Sequence, residues 1–239
     1  IRNIFIVLLC LTIYQQRSLV IIVIKPLTLA SQQFRIIYIG YKEVARLIES
    51  HKQQYRTYID DAGYFFFVGN AAPKKNTERT LVAYAKYLEL SEVKRPLLMA
   101  DLDQEYLNGI IERNGIEAIR DHIVIPGYII NSDLPYIYNN AFAFLYTSLR
   151  ESFGIPLLEA MACGTPVITS NKSSMPEIAG HDAILINPES SDEIALKMLQ
   201  LERDTDFYQR QKAVGLERAK LFSWRKTTEN LLRLYEEVY

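Results

Sequence analysis

Apolar and polar positions fall into blocks along this chain, and from about residue 63 onward the block lengths predict alternating strands and helices. Tyr64–Gly69 (YFFFVG) is continuously apolar and predicts a strand buried on both faces. Thr77–Leu90 predicts a helix with Leu81, Tyr84, Ala85 and Leu88 on one face. Pro96–Ala100 (PLLMA) predicts a short strand, Gln104–Ile119 a helix broken near Gly115, and His122–Pro126 (HIVIP) the next strand. Ser132 or Asp133 is placed to cap a short helix through Tyr138. Phe142–Tyr146 (FAFLY) predicts a further strand, and a helix opens at Ile155. Two more strands are expected at Thr165–Thr169 (TPVIT) and Ala183–Ile186 (AILI). Helices at Ser191–Leu201, Asp206–Phe222 and Trp224–Tyr239 then complete the chain. Repeated βα units imply an α/β, Rossmann-like parallel sheet with helices on both faces. Ligands on such sheets sit at the C-terminal ends of the strands, where Gly69, Gly127, Glu151 and Ser170 fall.

The first sixty residues are patterned differently. They hold apolar runs at 4–14 and 19–24, a strand-like Phe34–Gly40 and a helical Lys42–Lys52, and Tyr58–Gly63 reads as a linker. The expected division is therefore a partial N-terminal segment over 1–60 and a Rossmann-like domain over 61–239. At eleven residues the run Ile4–Tyr14 is shorter than the roughly 20 needed to cross a bilayer. It reads as a buried strand in preference to a signal-peptide core.

Composition narrows the function. A net charge of −1 over 239 residues argues against a nucleic-acid protein, which carries a basic excess. Two isolated cysteines, Cys10 and Cys163, form no disulfide framework, which points to a reducing compartment. His51, His122 and His181 are not spaced as a ligand pair, so no metal site is expected.

The richest chemistry lies in Glu151–Ser170 (ESFGIPLLEAMACGTPVITS). An apolar strand ends in a turn at Ser152–Gly154, and Pro156 suits the first turn of a helix, where its missing N–H costs nothing. The backbone N–H groups around Phe153, Gly154 and Ile155 then point outward at a helix N-terminus, an arrangement that binds anions and above all phosphate. Glu151 before the turn and Glu159 inside the helix can face one ligand, and carboxylates accept hydrogen bonds from hydroxyls. A phosphate pocket flanked by two such carboxylates suggests a sugar nucleotide.

Several blocks together resemble one family. Val68–Asn76 (VGNAAPKKN), Gly127-Tyr128, Glu151–Pro188, Ser173–Gly180 (SSMPEIAG) and Phe222-Ser-Trp224 are similar to the nucleotide-binding C-terminal domain of retaining GT-B glycosyltransferases of family 4. The similarity runs over about 62–239 in sequence order, with the Glu-x7-Glu pattern as its signature. The resemblance implies that Glu151 touches donor-sugar hydroxyls and that Lys75 neutralises the diphosphate, the two together forming the catalytic pair. It implies that Ser152, Phe153, Gly154 and Ile155 hold sugar and phosphates through the turn, that Glu159 binds the nucleotide ribose, and that Gly127 and Tyr128 line the base pocket. Asn70 stands where many members carry a phosphate-binding Arg, and Lys74 is expected to replace that charge. Positive charge and N–H dipoles suit departure of a nucleoside diphosphate. The donor is expected to be UDP- or GDP-linked, with no cofactor and no metal.

The function so implied is retaining, hexosyltransferase-like transfer to a glycan or lipid-linked acceptor, as in polysaccharide biosynthesis. The location implied is cytoplasmic, with at most peripheral contact at the inner membrane face. Family enzymes carry an N-terminal acceptor domain, and residues 1–60 fall short of one, so a partner chain or a missing acceptor domain is expected to complete the cleft. A non-catalytic sugar-nucleotide-binding module is the alternative, and an epimerase of related fold fits the motifs least. Elsewhere the plainer readings hold. Asp101-Leu-Asp103 is a helix cap and not a metal motif, and Cys163 a buried apolar side chain. His122 is strand packing, and Tyr84, Tyr87, Trp224 and Tyr235 are helix-packing residues.

Overall fold

The computed structural model describes residues 18–22 and 36–40 by their backbone, and residues 63–127, 129 and 131–238. Two early strands, β1 (Ser18–Ile22) and β2 (Ile36–Gly40), pair antiparallel with Ser18 opposite Gly40. They carry the ends of two of the apolar stretches expected in the first sixty residues. The run 4–14, the helix at 42–52 and the linker over 58–62 lie outside the described residues.

The rest of the order is β3 (Tyr64–Val68), α1 (Thr77–Leu90), β4 (Leu97–Ala100), α2 (Gln104–Asn114), β5 (Ile123–Val124), α3 (Leu134–Asn140), β6 (Ala141–Tyr146) and α4 (Ile155–Ala162). Then follow β7 (Val167–Ser170), α5 (Met175–Ala179), β8 (Ile184–Ile186), α6 (Ser191–Arg203), α7 (Thr205–Ala219) and α8 (Trp224–Val238). Strands β3 to β8 form one six-stranded sheet in the order β5-β4-β3-β6-β7-β8, and every neighbouring pair is parallel. The chain builds outward from β3 to β5, returns to place β6 on the other side of β3, and builds outward again. The reversal makes a crevice between the C-terminal ends of β3 and β6, the place where open α/β sheets bind ligands.

Alternation along each strand feeds two cores. Phe65 and Phe67 of β3 point to one face with Leu97, Met99, Ala143 and Leu145, where α1, α2 and α6 cover them. Tyr64 and Phe66 point to the other with Leu98, Phe144 and Tyr146, under α3, α4 and α5. Full burial of a large apolar side chain is worth about 1.5–3 kcal/mol, so three adjacent phenylalanines on β3 anchor both layers. Edge-to-face contacts add orientation, as between Phe65 and Tyr87 with ring centroids 5.0 Å apart.

Most predicted elements form. Gly115 ends α2 in the left-handed conformation, so the long helix expected over 104–119 stops there and a tight 3-10 turn, Glu117–His122, follows. That turn consumes His122, whose carbonyl accepts from Tyr84 Oη, and shortens the expected strand to two residues. Asp103 caps α2 by accepting from the amides of Glu105 and Tyr106, as expected for a cap. Asp133 occupies the cap position of α3 without a side-chain cap bond. Two aromatic assignments need correction. Tyr84 and Tyr87 pack fully, but Trp224 and Tyr235 are more than half exposed. Both lie on the apolar stripe of α8, with Leu231, Leu232 and Leu234 also exposed, so this stripe faces away from both cores.

Candidate functional site

The loop after β3 and the loop after β6 meet in the crevice. After Gly69 the chain turns through Pro73–Lys75 and enters α1 at Asn76, which holds φ +60. Asparagine tolerates this left-handed state better than most residues. The Asn76 side chain is buried and donates to the carbonyls of Thr147 at 3.0 Å and Pro188 at 2.7 Å. The Leu149 amide donates to the Lys74 carbonyl at 2.8 Å. These bonds fix the Lys75 loop against the ends of β6 and β8.

Lys75 is brought onto Glu151 by that fastening. Nζ lies 2.8 Å from Oε1, and the two side chains are 19% and 12% exposed. The ammonium also sits 5.7 Å from the centre of the Tyr146 ring. Burial works against the ionised Glu151 carboxyl, but hydrogen bonds from Lys75, Ser148 and Tyr146 outweigh it and hold its pKa below the ordinary range.

The turn that follows is shaped by glycine. Gly154 has φ +102, and a Cβ there would lie 3.4 Å from Cε1 of Tyr146. The helix α4 starts without a side-chain cap and with Pro156 in its first turn. Its first amides are therefore not covered by a capping side chain, and they carry the positive end of the helix dipole. Ser173, at φ +57, and Ser174 brace this turn from the loop after β7. Ser173 Oγ donates to the Glu151 carbonyl at 2.7 Å and accepts from its amide at 3.3 Å. Ser174 Oγ lies 3.1 Å from the carbonyls of both Glu151 and Phe153.

Inside the helix, Glu159 accepts from Tyr138 Oη at 3.3 Å. Burial pushes the Glu159 carboxyl upward, with the Tyr138 bond opposing. Tyr138 itself is buried and its hydroxyl is held well above the ordinary phenol range, first by burial and then by Glu159.

Of the residues singled out from sequence, Lys75, Glu151, Gly154 and Glu159 gather around Tyr146. Ser152 is exposed beside them, and Phe153 and Ile155 expose 44% and 46% of their surface there. Lys74 is exposed in the same loop. Asn70, expected among the donor-binding residues, lies in the same loop. Its Nδ2 donates to Asp101 Oδ2 at 3.1 Å and its Oδ1 accepts from the Ala72 amide, so the side chain shapes the loop. Gly127 lies at the end of the segment after β5 with φ +77; Tyr128 falls outside the described residues. Cys163 ends α4 half-buried. No group of three or more His, Cys, Asp and Glu side chains suited to a metal occurs among the described residues. Tyr138, Tyr146, Ser148, Ser173 and Ser174 were not expected to serve the site. Their signal was slight: Ser173 and Ser174 sit in the SSMPEIAG block, Tyr146 ends a predicted strand and Tyr138 a predicted short helix.

Comparison with known proteins bears on family and fold. The family model described as glycosyl transferases group 1 matches residues 41–218. The chain belongs to the group 1 glycosyltransferases. Among curated relatives of this group 1 glycosyltransferase, the O-antigen chain mannosyltransferase B of Escherichia coli is 34% identical over 177 residues, 73% of this chain and 46% of the relative. The chain thus spans about half that relative's length. The solved C-terminal domain of LpcC, a glycosyl transferase group 1 family protein of Francisella tularensis, aligns at TM-score 0.59 and 22% identity, covering 71% of this chain and 91% of that domain. HepE of Anabaena, solved with UDP and glucose, aligns at TM-score 0.66 and 18% identity over 80% of this chain and 52% of HepE. These likenesses place the six-stranded domain in the GT-B fold. No helix among the described residues is long and apolar enough to cross a membrane.

Proposed function

We propose that this domain binds the donor of a retaining, family 4 glycosyltransferase, a UDP- or GDP-linked hexose, and that the whole protein transfers the sugar to a glycan or lipid-linked acceptor. One observation carries the reading: Lys75 and Glu151, 76 residues apart in sequence, pair at 2.8 Å in the crevice between β3 and β6, beside an uncapped helix start. A cation and free amide dipoles suit a diphosphate. A carboxylate on each side of the turn suits hydroxyls, with Glu151 toward the sugar and Glu159 toward the ribose, as the Glu-x7-Glu resemblance implies. Mannose is the favoured sugar because curated relatives are named mannosyltransferases. Polysaccharide assembly on the cytoplasmic side is the setting in which such an enzyme would meet its donor. The acceptor side of the cleft is proposed to lie in a further domain or partner chain.

Calorimetric titration with UDP, GDP and ADP, each with and without EDTA, tests the reading. Binding of UDP or GDP that persists in EDTA is expected. Absence of binding to any of the three would overturn the donor-site proposal, and binding that disappears in EDTA would overturn its metal-free part.

A further inference from the structure

We propose that Glu151 also acts as a built-in competitor for Lys75, so that the site favours the sugar-bearing nucleotide over the free nucleoside diphosphate. This rests on the donor-site reading above.

The pair is set up for competition. Each side chain is largely withdrawn from water, so their contact is poorly screened. Neither loop is free to carry its charge away. Asn76 ties the Lys75 loop to Thr147, and the Leu149 amide ties it again at Lys74. On the other side Ser173 and Ser174 hold the backbone of Glu151. A diphosphate that approaches Lys75 therefore meets the Glu151 carboxylate at nearly the same distance. The attraction to one is offset by repulsion from the other.

A sugar changes the balance. Its hydroxyls donate to a carboxylate, and such charge-assisted bonds are stronger than neutral ones. Glu151 thus turns from a repulsive neighbour of phosphate into a partner of the sugar, while Lys75 remains available to the diphosphate. Once the sugar has gone to an acceptor, the hydroxyl donors are gone and the repulsion remains. The same residue that recognises the substrate then weakens retention of the product.

The test is calorimetry on the purified chain with UDP, GDP, UDP-glucose and GDP-mannose, comparing wild type with Glu151→Gln, Lys75→Met and the double variant. Glu151→Gln should bind the free diphosphate about three- to tenfold more tightly and the sugar donor more weakly, reversing the preference. In the Lys75→Met background the gain should be at least as large, because the carboxylate still repels the diphosphate and no cation is left to offset it. Glu151→Ser, small and uncharged, carries the same expectation should the amide fail to pack. If Glu151→Gln and Glu151→Ser bind the free diphosphate no more tightly than wild type while Lys75→Met weakens it, the competition is refuted and the donor site stands. If UDP and GDP binding ignores both residues, the donor-site reading falls and takes the competition with it.

Discussion

Gly154 lies directly against the ring of Tyr146, at φ +102 and with room for a Cβ only 3.4 Å from the ring edge. The turn between β6 and α4 depends on this fit. Gly154→Ala should lower stability by about 1–3 kcal/mol, the usual cost of forcing a side chain into that conformation. It should also displace the first amides of α4 and cut nucleotide affinity at least about tenfold. A thermal melt combined with UDP and GDP titration checks both. A variant that melts and binds like wild type would remove the turn from the site.

Glu159 should make binding sensitive to mildly acidic pH. Burial, partly opposed by Tyr138, raises its pKa above the ordinary 4.5. The ribose contact proposed for Glu159 needs the ionised form, so affinity should fall as pH drops through that raised value, earlier than an ordinary carboxylate would require. Stability follows the opposite sense. Above its folded pKa the ionised group costs the fold energy, and below its unfolded pKa the cost is gone. Glu159→Gln should therefore raise Tm at pH 7. The gain should vanish by about pH 4, while nucleotide affinity at pH 7 falls roughly tenfold. Melts at both pH values and a titration at pH 7 read out all three.

Asn76 should act on Lys75 at one remove. Asn76→Gly keeps the left-handed backbone but deletes both side-chain bonds to Thr147 and Pro188. Two buried carbonyls lose a donor, at a cost of about 1–3 kcal/mol. Asn76→Asp should cost more, since a carboxylate would face those carbonyls. Urea denaturation should order the three as Asn76, Gly, Asp in falling stability. Asp equal to Gly would mean that the amide donors contribute little.

Ser173 offers a cleaner separation of site from scaffold. Ser173→Gly relieves the positive φ and removes the hydroxyl that grips Glu151. The two effects on stability offset, so Tm should move by less than about 3 °C. Affinity for the sugar-bearing donor should nevertheless fall about three- to tenfold, because the Glu151 backbone is no longer held. A donor titration showing wild-type affinity would assign Ser173 to packing alone.

The sheet was legible because its strands are short apolar runs between turn signals, and parallel strands covered on both faces need no alternation. Boundaries were read less well where side chains take over. Thr165 reads as strand, yet its hydroxyl donates to the Tyr138 carbonyl and regular pairing begins only at Val167. The helix Met175–Ala179 is too short to show a period. Within the site, Lys75 and Glu151 were legible as charges in a recognisable block. The bond from Asn70 to Asp101, 31 positions away, was not legible, because no local pattern links the two loops. Tyr138 and Ser173 were invisible for a similar reason. Each reaches a carboxylate residue about 21 or 22 positions distant, and no local pattern encodes which tyrosine bonds to a particular glutamate.

The junction of β3 and β6 also governs when the site can come into being. Lys75 and Glu151 follow strands that are neighbours in the sheet, but 76 residues of chain lie between them. Closing so long a loop is slow, and the reward comes only after the intervening βα units have found their places. No fragment holding only one of the two strands can present the two charges together. A ligand gripped by both has nothing comparable to bind in the unfolded chain. Its binding energy is added in full to the cooperative stability of the domain, and rises with the logarithm of its concentration.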